Sequence, residues 1–329
     1  MSIGESADTD ASSTAMATEN QVESPGVGTR VWNTLLAYIA LTKPRVIELL
    51  LVSTIPVMLQ ADRGHVDIAL IAITVIGGWL GAASANSLNM VADADIDQKM
   101  KRTQKRPLAR HAVPVRHALV FGIVLAFASF AVLYYGTGQK WLPPILVWLT
   151  IAFYAGVYTL ILKRRTWQNV IWGGAAGCTP ALVGWAAVHG TLSWQPFVMF
   201  LVVFFWTPPH TWAIAMRYRE DYRAAGVPMF PVIASDERVT THMLVYTWLT
   251  VLTSFALIPV TSWIYLVVAV LSGVWFIYMI TKSYLGVRRG VEVNALKLFL
   301  TSNEYLALLF CGLAVDAVIN MPTIASYFS

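Results

Sequence analysis

Asn89, Asp93 and Asp97 stand four residues apart in the stretch NMVADADIDQKMKRTQKRPL, residues 89–108, where an apolar run gives way to charge. On a helix that spacing sets an amide and two carboxylates along one wall, with about 6 Å of rise between successive members. Such a wall offers hard oxygen donors. Mg²⁺ takes one or two carboxylates and completes its octahedron with water and substrate phosphate. Lys99, Lys101, Arg102, Lys105 and Arg106 follow at once and bring positive charge to whatever phosphate the metal holds. The chemistry indicated is a metal-bridged diphosphate site. The competing reading is a basic loop beside a membrane, capped by chance acids.

The elements that position this wall are membrane spans. Hydrophobic residues make up 57% of the 329-residue chain and charged residues only 12%, with a mean hydropathy of +0.61. That composition describes an all-α polytopic membrane protein and leaves no room for a sizeable soluble domain or a nucleic-acid-binding surface. Cys178 and Cys311 both lie in apolar segments, so neither a disulfide framework nor a thiolate metal site is indicated. Residues 1–29 contain no Lys or Arg and are rich in Ser, Thr, Ala and acids, unlike a secretory signal or an organellar presequence. We read residues 1–30 as a disordered polar tail and 31–329 as one transmembrane domain. Insertion directly into a bacterial cytoplasmic (inner) membrane is expected.

Nine apolar stretches are long enough to cross a bilayer: 44–61, 68–92, 117–136, 142–162, 169–189, 196–216, 242–261, 264–281 and 298–318. With nine spans, only Arg63 and Lys140 of the 23 Lys and Arg residues fall on one side. The basic side is cytoplasmic by the positive-inside rule, which places the N-terminus inside and the C-terminus outside. Both long loops then share the cytoplasmic face.

The second long loop runs Arg217-Tyr218-Arg219-Glu220-Asp221-Tyr222-Arg223. Glu220 and Asp221 could supply a second metal carboxylate, while Arg217, Arg219 and Arg223 could grip phosphate oxygens. Above it, inside the sixth span, lies Trp206-Thr207-Pro208-Pro209-His210-Thr211-Trp212. Two prolines remove helix hydrogen bonds, so a kinked or unwound segment is expected there. His210 precedes Arg217 by seven residues, about 10 Å along a helix; a core histidine bonded to a neighbouring helix is the alternative to a functional one. Of the other intramembrane polar groups, Asn86 shares the face of Asn89, Glu48 lies beyond Thr42-Lys43-Pro44-Arg45 at the cytoplasmic mouth, and Asp316 is expected to be structural.

NxxxDxxxD after a second span of nine, followed by KRTQKRPL at 101–108, resembles the UbiA-type intramembrane prenyltransferases. TKPRVIELL at 42–50, WTPPHTWAIAMRYREDYRAAGVPMFPV at 206–232 and LFLTSNEYLALLF at 298–310 are similar to the branch of that family that farnesylates heme. The likeness runs from Thr42 to Asp316. It implies a helical bundle around a central cavity, with farnesyl diphosphate and heme B as substrates and heme O and diphosphate as products. It further implies that Asn89, Asp93 and Asp97 hold Mg²⁺ on the diphosphate. Lys43, Arg102, Lys105 and Arg106 would stabilise the departing charge, and His210, with Arg217, Tyr218 and Arg219, would contact heme. Membrane lipid, a heme A synthase and oxidase assembly proteins are the implied partners. One departure stands out: Asp221 has Arg217 four residues before it and Ala225 four after, so the second D-x3-D common in this family is missing. Glu220 and Asp221 could share one ion, or Arg217 and Arg219 could replace it. The alternatives are a sister enzyme prenylating an aromatic quinone precursor and, from another class, a transporter.

Overall fold

The computed structural model describes residues 27–101 and 103–328. The polar tail expected over 1–30 lies outside the described residues except for its last four, which open the first helix. Arg102 and the side chain of Glu48 also lie outside them.

All regular elements among the described residues are helices. Helix α1 (Val27–Thr42) leads through Lys43 into α2 (Pro44–Ala61), and α3 (Ile68–Ala92) into the short α4 (Ala94–Asp97). Then come α5 (Val115–Gly136), α6 (Leu142–Arg165), α7 (Asn169–His189) and α8 (Trp194–Arg217). Short α9 (Arg219–Ala224) and α10 (Phe230–Ile233) precede α11 (Asp236–Phe255), α12 (Trp263–Arg288) and α13 (Ala295–Ile319). Local signals set the starts. Asp67 accepts from Leu70 N at 2.9 Å and Asn294 from Lys297 N at 3.0 Å, each satisfying an orphan donor of the first turn. Gly190, at φ 74°, takes the left-handed turn that ends α7.

Among the described residues eight helices are long and apolar enough to cross a membrane. The ninth expected span coincides with α2, whose side chains over 45–52 are not described. Each span packs on its neighbour in sequence and α13 returns to α2, so the bundle closes into a ring; α2 on α7 and α8 on α13 also meet across it. Outward faces carry exposed Phe127, Leu149, Leu271 and Val274, as lipid contact requires. Helix α1 is too short to span and exposes Trp32, Leu35, Leu36 and Ile39 at helical spacing, a pattern suited to the bilayer interface.

Small residues decide the closest contact, between α3 and α5. Ser84 and Ser87 donate to the carbonyls of Gly122 and Ala118 at 2.7 and 2.9 Å, and Ser129 donates back to Gly77 O at 2.6 Å. A Cβ on Gly77 would stand 2.5 Å from Leu133 Cγ, so the buried Leu133 side chain lies against the α3 backbone only because glycine is there.

Two findings differ from the sequence expectation. Helix α8 continues through Pro208 and Pro209 instead of unwinding. Proline's fixed φ suits a helix, and only two amide donors are lost. The irregular winding occurs in α6, where Phe153–Leu162 is π-helical.

On the face opposite the charged loops, buried Asp316 of α13 accepts from Arg63 at 2.5 Å, from Ser262 N at 2.9 Å and from the Ser262 hydroxyl. Arg63 also donates to Gln60 Oε1 and Met321 O. This cluster ties the ends of α2 and α13 to the start of α12. Lys140, the other base on that face, donates to Ala187 O and Val188 O at the end of α7. Both bases expected outside are thus helix-end fasteners.

Candidate functional site

The wall predicted on one helix is built across a junction. Helix α3 stops at Ala92 and Asp93 leaves helical geometry at φ −97°, ψ 5°. Yet Asp93 N still bonds Asn89 O and Asp97 N bonds Asp93 O, both at 2.9 Å, so the four-residue register survives the break. Asn89, Asp93 and Asp97 are 3%, 0% and 1% exposed. Arg164 fastens the junction from outside, donating to Ala92 O at 2.7 Å and to both oxygens of Asp95. Asp95 therefore faces away from the wall. The Arg164 bonds hold its carboxyl below the usual range.

Buried carboxylates need partners. Asn89 Nδ2 donates to Asp93 Oδ2 and to Thr159 Oγ1, each at 3.0 Å, while its Oδ1 accepts from Lys43 Nζ at 3.0 Å. Lys163 Nζ donates to Asp93 Oδ2 at 2.5 Å. Arg106 Nη1 reaches both oxygens of Asp97 at 2.7 and 2.8 Å. Three cations thus ring two carboxylates, leaving positive charge to spare for a polyanion. Among the described residues buried Asp93 Oδ1 has no hydrogen-bond partner.

Each cation is positioned by a local feature. Lys43 sits at φ 52°, ψ 62° in the sharp turn between α1 and α2, a costly conformation for a residue with a Cβ. Burial, then the neighbouring charges of Arg106 and Lys163, hold its ammonium down to about 7 against the pull of Asp93 and Asp97. Lys163 follows the π-helical stretch directly. Thr159 Oγ1 bonds Tyr154 O at 2.7 Å within it, so Thr159 and Lys163 meet Asn89 and Asp93 in matching register. π-Helical turns concentrate at functional sites. Gly173 of α7 makes room for the widened helix: a Cβ there would lie 2.1 Å from Tyr158 Cδ2. Gly173→Val should displace Tyr158, cost about 1–3 kcal/mol of stability by overpacking and loosen Lys163 from Asp93. Thermal unfolding of the purified variant checks the first effect.

The remaining expected site residues divide into two places. Arg217, Tyr218, Arg219, Glu220 and Asp221 line one polar pocket of about 450 Å³ with Asp236 and Glu292. There Arg219 is ion-paired with Asp236 and Glu220 with Arg223, and the Arg217 guanidinium lies 5.9 Å from the Tyr218 ring centre. His210 stands apart, between Trp206 and Phe299 at centroid distances of 4.2 and 4.6 Å, with Nδ1 3.0 Å from Ser302 Oγ. Lys105 is exposed on its loop. Among the described residues no three His, Cys, Asp or Glu side chains gather into a metal cluster, so Glu220 and Asp221 do not join Asp93 and Asp97. One hydrophobic cluster nevertheless links Ile96 and Met100 with Val227, Met229 and Phe230, which packs the two loops on a common core.

From Asn86, one turn below Asn89, an apolar groove descends between α2, α3, α6 and α7 to Thr74 and Val75. Twelve residues of helix separate its ends on α3, roughly 18 Å.

Sequence reasoning found the wall, Lys43 and Arg106. It missed Lys163 and Thr159. Lys163 was visible only as one of three bases ending a span, and a lone buried Thr carries no signal.

The chain matches the model of the UbiA prenyltransferase family over residues 50–303. It is 64% identical over 303 residues to a protoheme IX farnesyltransferase of Nocardia farcinica, covering 92% of this chain and 97% of that one. With the protoheme IX farnesyltransferase of Rhodococcus jostii it shares 62% over 300 residues, covering 91% and 99%. Its fold is similar to that of a UbiA homologue from Archaeoglobus fulgidus bound to GPP and Mg²⁺, with a TM-score of 0.61 at 15% identity over 84% of this chain and 99% of that one.

Proposed function

The chain belongs to the UbiA prenyltransferase family, and from that premise we propose that it transfers the farnesyl group of farnesyl diphosphate to a vinyl group of heme B, giving heme O and diphosphate. Near-full-length relatives named protoheme IX farnesyltransferase support the reaction. The observation that carries the site is the buried, unpartnered Asp93 Oδ1 beside three cations.

Asn89, Asp93 and Asp97 would hold one Mg²⁺; their hard oxygens fit it, and Asp93 Oδ1 is a ligand oxygen left unpartnered among the described residues. When bound, the ion would neutralise diphosphate charge and favour its departure. A UbiA homologue bound to GPP and Mg²⁺ supports this assignment. Lys43, Arg106 and Lys163 would bind the diphosphate oxygens and stabilise the charge that grows as the C1–O bond breaks, with Arg102 and Lys105 on the same loop. The groove from Asn86 to Thr74 would hold the farnesyl chain, extended and away from water. Heme would lie on the α8 side, contacted by His210, Arg217, Tyr218 and Arg219. The vinyl carbon attacks C1 of the allylic cation, the new cation is conjugated with the porphyrin, and water adds to it with loss of a proton. The balance is heme B, farnesyl diphosphate and water in, heme O and diphosphate out. We place the protein in a bacterial cytoplasmic membrane with nine spans, N-terminus inside and C-terminus outside, handing its product to a heme A synthase or an oxidase under assembly.

Incubation of the purified protein in lipid with heme B, farnesyl diphosphate and Mg²⁺ should yield a porphyrin heavier by farnesyl plus water, and none with EDTA. Unchanged heme alongside prenylated 4-hydroxybenzoate would move the protein to the quinone branch. Lys163→Met should lower turnover by about a hundredfold, with KM for farnesyl diphosphate raised in the same assay.

A further inference from the structure

We propose that the cavity between the end of α12 and the start of α13 holds the headgroup phosphate of an anionic phospholipid on Lys282, Arg289 and Lys297, with an acyl chain along Tyr278 and Leu298. The cavity has a volume of about 620 Å³, shares no lining residue with the diphosphate site, and adjoins the polar pocket of Arg217–Asp221 at Glu292. Lys282 lies in the last turns of α12 and Arg289 caps its end seven residues on, roughly 10 Å along the axis. Lys297, in the first turn of α13, completes the ring of charge. Among the described residues none of the three side chains has a hydrogen-bond or ion-pair partner. Neighbouring Arg288, by contrast, turns to Glu237 at 3.4 Å.

The charge and the walls select the occupant. Three cations face one carboxylate, Glu292, so the lining carries a net positive charge that a phosphate bearing its own choline would not neutralise. Tyr278 is 54% exposed on the lipid-facing surface, and Leu298 floors the cavity. Arg289 lies just past the end of α12, where the apolar span gives way to the basic face. Basic pockets between helices at that level are suited to anionic lipid headgroups, and each cation there adds to the attraction. A free anion would find the cations but gain nothing from the apolar wall.

The test uses the full chain reconstituted in phosphatidylcholine discs, with spin-labelled phosphatidylglycerol or spin-labelled phosphatidylcholine as probe. Electron paramagnetic resonance reads the immobilised fraction. The labelled phosphatidylglycerol should associate at least about tenfold more tightly than the choline lipid. Lys282→Gln, Arg289→Gln and Lys297→Gln combined should remove that preference. The charge-conserving set Lys282→Arg, Arg289→Lys and Lys297→Arg should keep it. Glu292→Gln, which leaves all three cations in place, should strengthen it and serves if the triple variant fails to fold. Equal association of the two lipids, or a preference unmoved by Glu292→Gln and by the triple change, would overturn the proposal. Displacement of the label by millimolar inorganic phosphate, or by heme, would also overturn it, because the site would then serve a free anion or the substrate's carboxylates.

Discussion

Asp93→Asn is expected to lower farnesyl transfer to heme by about a thousandfold while the protein still folds and inserts. The substitution keeps the volume of the side chain and one oxygen, so the 3.0 Å contact from Asn89 and the contact from Lys163 can persist on that oxygen. What it removes is the negative charge and the second oxygen, Oδ1, the buried atom of the wall that no donor among the described residues satisfies. Deleting the charge leaves Lys163, 15% exposed, without its counter-ion and lowers stability in either case. A purely structural Asp93 would show only that loss. Turnover per folded molecule, assayed well below the variant's thermal midpoint, separates the two cases: a large fall in rate beyond any loss of stability is the expected result.

The largest stability effect is expected on the other face. Asp316→Ala should cost about 3–5 kcal/mol, because it leaves Arg63 and the Ser262 amide facing a buried gap. For a chain of this size that lowers the melting temperature by on the order of 10 °C. Turnover per folded molecule, assayed well below the transition, should stay near the wild-type value because Asp316 fastens helix ends opposite the wall. A loss of turnover without a loss of stability would mean that the cluster has a part in the reaction.

What was legible in the sequence follows from how explicit each signal is. Spans announce themselves by composition, and the expected limits 44–61, 68–92 and 169–189 coincide with helices in the structure. Elsewhere helices outrun the apolar window, as α12 does by continuing to Arg288, because helical hydrogen bonding does not stop where the hydrocarbon does. The wall was legible because four-residue spacing carries its own geometry, and that geometry survives the break at Asp93. The companions of the wall were hidden. Lys163 belongs to a basic run that topology alone would explain, and no residue type marks the π-helical winding that precedes it. Thr159 and Asp93 are partners through Asn89 only in three dimensions, and Arg63 meets Asp316 across 253 residues. At Pro208 and Pro209 the unwound form is set aside, because the sequence states which amide donors are lost but not that the rest of α8 keeps the helix continuous through them.

The most direct test of the proposed diphosphate site supplies Mn²⁺ in place of Mg²⁺ with a non-reactive farnesyl diphosphate analogue and reads ³¹P couplings by pulsed paramagnetic resonance. The site built by Asn89, Asp93 and Asp97 predicts a bound ion coupled to diphosphate phosphorus, with the coupling lost in Asp93→Asn. An ion that binds without phosphorus coupling, or one indifferent to Asp93→Asn, would contradict it.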